Sequence, residues 1–363
     1  MSRFPAILLS LSLAAVVSPA HAQDTTRVES GDLGGSRFRI QVPARWNHGL
    51  VVYEHGYLPR GAEWAPMSRW LAAVFLDRGF AVAEAGFSRQ GWAIEEGLRD
   101  TEALRRHFTK RYGRPDTVFV TGFSMGATLA LATIEAHPRE YAGALPMCGP
   151  LAASEEFFRD RVLGVLVTFE ALFGRNLPPG QRPLLAAGEL PEPLVESALA
   201  PDSALALRFC AKWDVRREDL ASIVSFYHLL YRELADRAGG APCDNRNAIY
   251  AGFGPVAGLN DSVPRSLAMP LAADYLRRFF TPTGGLRGPV LALHTTYDPG
   301  VPQHFANVYG GTVSRAGTEA WFVQQRVEAD GHCNIKPALV GQAFDELRDW
   351  VSGGIRPAPR TLR

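Results

Sequence analysis

The chain has 363 residues, 47% hydrophobic and 21% charged, with 38 basic against 37 acidic side chains. Charges that nearly cancel leave no excess of Lys and Arg to attract a polyanion, so neither nucleic acid nor an anionic membrane is indicated as partner. The length is large for one plain core and fits a core carrying one sizeable insertion.

Residues 1–22 read as a secretory signal peptide. Arg3 precedes the apolar run 5–17, and Ala20-His21-Ala22 offers small residues for cleavage before Gln23. The run is too short to span a bilayer comfortably, no second candidate occurs, and no cysteine follows it for lipidation. An exported protein with no stable membrane anchor is therefore predicted. The lysine-poor composition (Lys110, Lys212 and Lys336 only), rich in Ala, Gly and Pro, suggests a GC-rich bacterial coding sequence. The destination would then be periplasm or medium. Cys148, Cys210, Cys243 and Cys333 follow the leader. An even count in an exported chain favours disulfides, and four cysteines allow three pairings. No cysteine or histidine spacing suits a metal, so neither metal nor cofactor is expected.

In chain order, strands are predicted at 36–42 and 50–54, then a helix over 67–77 and a strand over 80–85. A helix over 92–112 follows, with Ile94, Leu98, Leu104 and Phe108 on one face at the helical period. A strand over 117–120 runs into Gly122-Phe123-Ser124-Met125-Gly126 and an Ala/Leu-rich helix that stops at Pro138. After a strand over 142–147 the alternation breaks. Residues 149–287 are mostly helical, with Pro-rich joints at 178–183 and 191–193. The rhythm resumes with strands at 289–294 and 320–327 and a last helix over 336–351. Alternating strands and helices predict an α/β fold: a mostly parallel sheet covered on both faces. The core would comprise 23–148 and 288–352, with 149–287 a helical cap inserted after the 142–147 strand. Residues 353–363 read as a loose tail.

Several strand ends carry chemistry. G-x-S-x-G between a strand and a helix is a tight turn that presents the serine hydroxyl, with glycines where side chains would strike backbone. Ser124 is thus a candidate nucleophile. A hydroxyl needs a base, and the base an orienting acid. Asp298, just past the 289–294 strand, is the candidate acid. His332, past the 320–327 strand, is the candidate base, ahead of His294 and His304. For an oxyanion, the N–H groups of Met125 and of Tyr57 in His55-Gly56-Tyr57 are the candidate donors. The segment Ser88-Arg89-Gln90-Gly91-Trp92 reads either as pocket lining or as a structural loop. Phe157, Phe158, Phe169, Phe173, Phe209, Phe226, Tyr227 and Tyr231 crowd the inserted block. They suggest an apolar or aromatic substrate group or, equally, the block's own core.

HGY after a strand, GFSMG at a turn, an Asp on a strand-end loop and GHC near the C-terminus resemble the α/β-hydrolase superfamily over nearly the whole chain after the leader. The resemblance implies a secreted serine hydrolase of carboxylic esters, acting on small-molecule or oligomeric esters. An amidase or peptidase, or a non-catalytic binding protein on the same fold, are the alternatives. The look is similar to feruloyl esterases and tannases, in which a cysteine before the nucleophile bonds one after the histidine. Here Cys333 follows His332, but Phe123 precedes Ser124, so Cys148 is the replacement partner. Cys148 ends the strand beside the nucleophile strand, and Cys333 adjoins the base. Cys148–Cys333 is therefore expected, with Cys210–Cys243 closed inside the inserted block.

Overall fold

The structure, a computed structural model, describes residues 26–363; the signal-peptide expectation lies outside them. Among the described residues, nine strands form one sheet: β1 (Arg27–Leu33), β2 (Ser36–Val42), β3 (Gly49–Glu54), β4 (Ala81–Ala85), β5 (Thr117–Phe123), β6 (Gly143–Met147), β7 (Val290–Tyr297), β8 (Phe322–Asp330) and β9 (Thr361–Leu362). Their spatial order is β1-β2-β4-β3-β5-β6-β7-β8-β9. The hairpin β1–β2 and the β2–β4 pair are antiparallel, and every later pair is parallel. The core helices are α1 (Arg69–Leu76), α2 (Ile94–Tyr112) and α3 (Met125–Ala136). Between β6 and β7 lie α4 (Ser154–Glu156), α5 (Gly164–Phe173), α6 (Glu192–Leu199), α7 (Ser203–Trp213), α8 (Leu220–Ala238), α9 (Leu259–Ser262) and α10 (Pro270–Arg278). A π-helical stretch, Phe157–Leu163, joins α4 to α5. The chain then adds α11 (Gln303–Ala316) and α12 (Pro337–Gly353).

Alternation along the strands builds two cores, because successive side chains in a strand point to opposite faces. Val51, Val82, Phe119, Leu145, Leu291 and Val323 join Phe75 of α1 and Phe344 of α12 on one face. Leu50, Val52, Ala83, Val118, Val120, Ala144 and Ala292 face the other side. There they meet α2, α3 and α11, and the same core continues into the inserted helices. Covering both faces is what a parallel sheet requires.

Two expectations are corrected. The segment 353–363 is not loose. Its end adds β9 alongside β8, Val327 pairing with Leu362, and the Leu362 side chain is buried against that strand. The sheet also starts earlier than predicted, because β1 folds back on β2 in full register from Arg27↔Val42 to Leu33↔Ser36. Its polar, exposed sequence RVESGDL carries no apolar alternation, so no strand signal was present.

One polar group is locked in this core. Glu54, at the end of β3, is fully buried, and Thr133 Oγ1 donates to its Oε1 at 2.8 Å. Burial pushes its carboxyl up from 4.5 to about 8. Folded Glu54 thus holds a proton that the unfolded chain releases above 4.5, and its contribution to stability falls as pH rises from there to about 8. Glu54→Gln removes this dependence. Denaturant midpoints compared near pH 5 and near pH 8 should fall less in the variant than in the wild type. An equal fall in both proteins would contradict a protonated Glu54.

Candidate active site

The functional candidates converge at the carboxyl ends of the parallel strands. β5 ends at Phe123 and α3 starts at Met125, so Ser124 alone makes the turn, at φ 58° and ψ −124°. Its N–H donates to Met147 O of β6 at 2.9 Å. The glycines beside it are sterically required. A Cβ on Gly126 would lie 2.0 Å from Glu54 O, and one on Gly122 2.4 Å from Gly126 O. A Cβ on Gly149 would meet Ser124 O at 2.2 Å.

β7 delivers Asp298. Its Oδ1 accepts the N–H groups of Gly300 (2.9 Å) and Val301 (2.8 Å), which fixes the carboxylate plane. The other oxygen, Oδ2, lies 2.7 Å from His332 Nδ1. β8 delivers His332 through Gly331, whose N–H donates to Tyr297 O at 3.0 Å and ties the two loops together. His332 Nε2 lies 2.8 Å from Ser124 Oγ. A carboxylate only accepts, so Nδ1 carries the ring proton toward Asp298 and leaves Nε2 to accept a hydrogen bond from Ser124 Oγ. The Asp298 side chain is fully buried, whereas His332 is 37% exposed. Ser124 is half-buried. The line Asp298–His332–Ser124 therefore runs from the interior to an open surface.

The other histidines have different duties. His294 is buried and donates from Nε2 to Val301 O at 2.8 Å, bracing the Asp298 loop from behind. Burial holds its imidazole below the usual range. His304 packs edge-on against Phe305. His55 stacks on Phe87 at 4.0 Å between ring centroids, and its Nδ1 donates to Gly56 O at 2.6 Å. Burial pushes its ring down to about 4, so it stays neutral and serves as a bracket for the turn after β3.

That turn passes against Ser124. A Cβ on Gly56 would lie 3.4 Å from Ser124 Cβ, and Tyr57 follows directly. Met125 opens α3, so its N–H belongs to the first-turn donors that have no acceptor within the helix. Ser88 and Gln90 belong to a structural loop. Ser88 N donates to Asp100 Oδ2 at 2.6 Å, and Gln90 Nε2 donates to Gly86 O at 2.7 Å.

Cys148, the residue after β6, is bonded to Cys333, the residue after His332, with Cα atoms 5.3 Å apart. The second expected bond does not form: Cys210 and Cys243 are both free and buried. They face different neighbours. Cys210, on α7, lies near Arg217 and Glu196, whereas Cys243 lies near Glu155, Arg159 and Asp160. Sharing one inserted block did not bring them together.

The inserted aromatics resolve mostly as packing. Phe157, Phe158, Phe169, Phe173, Phe209, Tyr227 and Tyr231 are buried, and Phe169, Phe173 and Phe209 pack ring against ring. Of the eight, Phe226 alone is exposed, at 37%, and it stands edge-on to Tyr57 with ring centroids 5.7 Å apart. The residues that sequence reasoning passed over are Arg161 and Glu233, buried polar groups on inserted helices. Each looked like one more charge on an amphipathic helix, and only the tertiary contact distinguishes them.

No protein-family model and no curated protein matches the sequence. Among solved structures, the chain is similar to an esterase from Aspergillus oryzae, at TM-score 0.51 and 11% identity, over 92% of this chain and 80% of that one. An esterase from Pyrococcus furiosus aligns at TM-score 0.47 and 12% identity, over 95% and 96%. An acylaminoacyl peptidase from Pyrococcus horikoshii aligns at 0.47 and 9%, over 88% of this chain and 40% of that one.

The two kinds of ring should respond differently to truncation. Phe169→Ala should cost about 3–5 kcal/mol of stability. Phe226→Ala should leave stability within about 0.5 kcal/mol. Thermal melts check both. A larger loss in Phe226→Ala than in Phe169→Ala would reverse the assignment.

Proposed function

From the α/β-hydrolase fold of this chain, we propose a serine hydrolase that cleaves carboxylic esters through an acyl-enzyme on Ser124. The observation that carries the reading is the unbroken array Ser124 Oγ–His332 Nε2 (2.8 Å) and His332 Nδ1–Asp298 Oδ2 (2.7 Å), at a turn where serine has φ 58°. Ser124 Oγ attacks the ester carbon while its proton passes to His332 Nε2. Asp298 keeps the imidazole oriented and stabilises its cation. The carbonyl oxygen becomes an oxyanion facing the N–H groups of Met125 and Tyr57. Collapse breaks the carbon–oxygen bond to the alcohol, which takes the proton from His332. Water then gives a proton to the same nitrogen and attacks the acyl carbon, and Ser124 is restored with release of the acid.

The half-buried serine and exposed histidine leave the reacting atoms open to small or oligomeric esters. Export belongs to the same proposal. The Cys148–Cys333 bond suits an oxidising compartment, and no described helix is long and apolar enough to cross a membrane.

A fluorophosphonate probe should label Ser124, and Ser124→Ala should abolish labelling and lower kcat by roughly six orders of magnitude. Asp298→Asn should keep the fold and lower kcat by roughly three to four orders. Matched ester and amide substrates separate ester hydrolysis from amidase activity. Labelling that persists in Ser124→Ala, or Asp298→Asn turning over at the wild-type rate, would refute this assignment.

A further inference from the structure

Helix α8 lies across the loops that carry the proposed machinery. Near its middle, Tyr227 donates its hydroxyl to Gly300 O at 2.7 Å, two residues past Asp298. Buried Arg161, on the π-helical stretch, reinforces this contact through Tyr227 Oη (2.8 Å) and Pro299 O (2.8 Å). Farther along α8, Glu233 reaches the turn after β3. Its Oε2 accepts the Tyr57 hydroxyl at 2.6 Å, and its Oε1 accepts Arg60 N at 2.9 Å. One turn later Arg237 donates to both oxygens of Glu96 at 2.8 and 2.7 Å and to Gln90 O. The β3 turn and the Gln90 loop are themselves joined by Gly91 N donating to Leu58 O at 2.8 Å.

The Glu233 side chain is only 7% exposed. A carboxylate removed from water is tolerable only when donors replace the lost hydration. Both of its close donors belong to residues 57–60, so the buried charge and the turn fix each other. The consequence falls on Tyr57 itself. Its hydroxyl is tied to α8 while its own N–H is the proposed second oxyanion donor. Such donors act only within a few tenths of an ångström of the ideal distance, and a displacement of about 1 Å can cost about 100-fold in rate.

We infer that Glu233 is a positioning residue, holding the Tyr57 N–H in place for the oxyanion and so making turnover depend on the inserted helices. This rests on the serine-hydrolase reading above. A purely structural tie would move stability and leave kcat alone.

The test uses the whole enzyme with Glu233→Ala, Glu233→Gln, Tyr57→Phe and the double variant Glu233→Ala/Tyr57→Phe. An activated ester gives kcat and KM, a fluorophosphonate gives the rate of Ser124 labelling, and thermal melts report folding. Glu233→Ala and Tyr57→Phe should each lower kcat and the labelling rate by roughly 10- to 100-fold, with KM within about 3-fold. The double variant should be no worse than the singles, because all three lose the same tie. Gln can accept from Arg60 N and donate to Tyr57 Oη, so Glu233→Gln should stay within about 3-fold of the wild type. Wild-type kcat and labelling in a folded Glu233→Ala, or a loss there not shared by Tyr57→Phe, overturns the inference. If Glu233→Ala does not fold, an unchanged kcat in Tyr57→Phe overturns it alone. A wild-type enzyme that fails to label on Ser124 overturns the hydrolase reading instead, so the two failures are distinguishable.

Discussion

Ser124 occupies φ 58°, a region that costs a non-glycine residue roughly 1–3 kcal/mol and persists only where the surroundings impose it. The surroundings here are backbone. Gly126 sits where a Cβ would fall 2.0 Å from Glu54 O, and Gly149 where one would fall 2.2 Å from Ser124 O. Strand β5, helix α3, the end of β3 and the turn after β6 are thus packed main chain to main chain around one residue. That packing turns Ser124 Oγ toward His332 and places the first N–H of α3 beside it. Any widening of these contacts would relax the turn and spoil both together.

The remaining parts are strand-end loops that have to be brought to that point. Parallel strands all deliver their carboxyl ends to one edge, so β7 and β8 supply Asp298 and His332 without special design. Precision comes from cross-links between the loops. Asp298 is fixed by two N–H donors of its own turn, Gly331 is tied to Tyr297, and Cys333 is bonded to Cys148 at the end of β6, next to β5. The inserted helices add a second set of ties, through Tyr227 to the Asp298 loop and Glu233 to the turn after β3. In this light the block between β6 and β7 resembles a brace at the rim of the sheet more than a lid over the serine, which remains half-buried.

What could be read from the sequence follows from how local each signal is. Strands β2 to β8 carry apolar runs, and G-x-S-x-G, Asp298 and His332 each mark the end of one, so elements and candidate triad were legible together. β1 and β9 were not, because a polar hairpin strand and a two-residue edge strand are stabilised by pairing partners and carry little pattern of their own. The aromatics of the inserted block could not be divided by sequence between pocket and core. Both uses place rings on helices, and only the packing of Phe169, Phe173 and Phe209 decides. The expected Cys210–Cys243 bond failed for a related reason, since proximity in sequence within a helical block does not bring two buried side chains face to face. Glu233 shows the limit most clearly: its donors are more than 170 residues away in the chain.

The central claim is that an ester's acyl group is transferred to Ser124. Rapid acid quenching of the enzyme during turnover of an activated ester, followed by peptide mass mapping, tests it directly. The account predicts a mass increase equal to the acyl group, confined to the peptide that contains Ser124 and absent in His332→Ala. Steady turnover with Ser124 unmodified, or acyl mass on another residue, would contradict it.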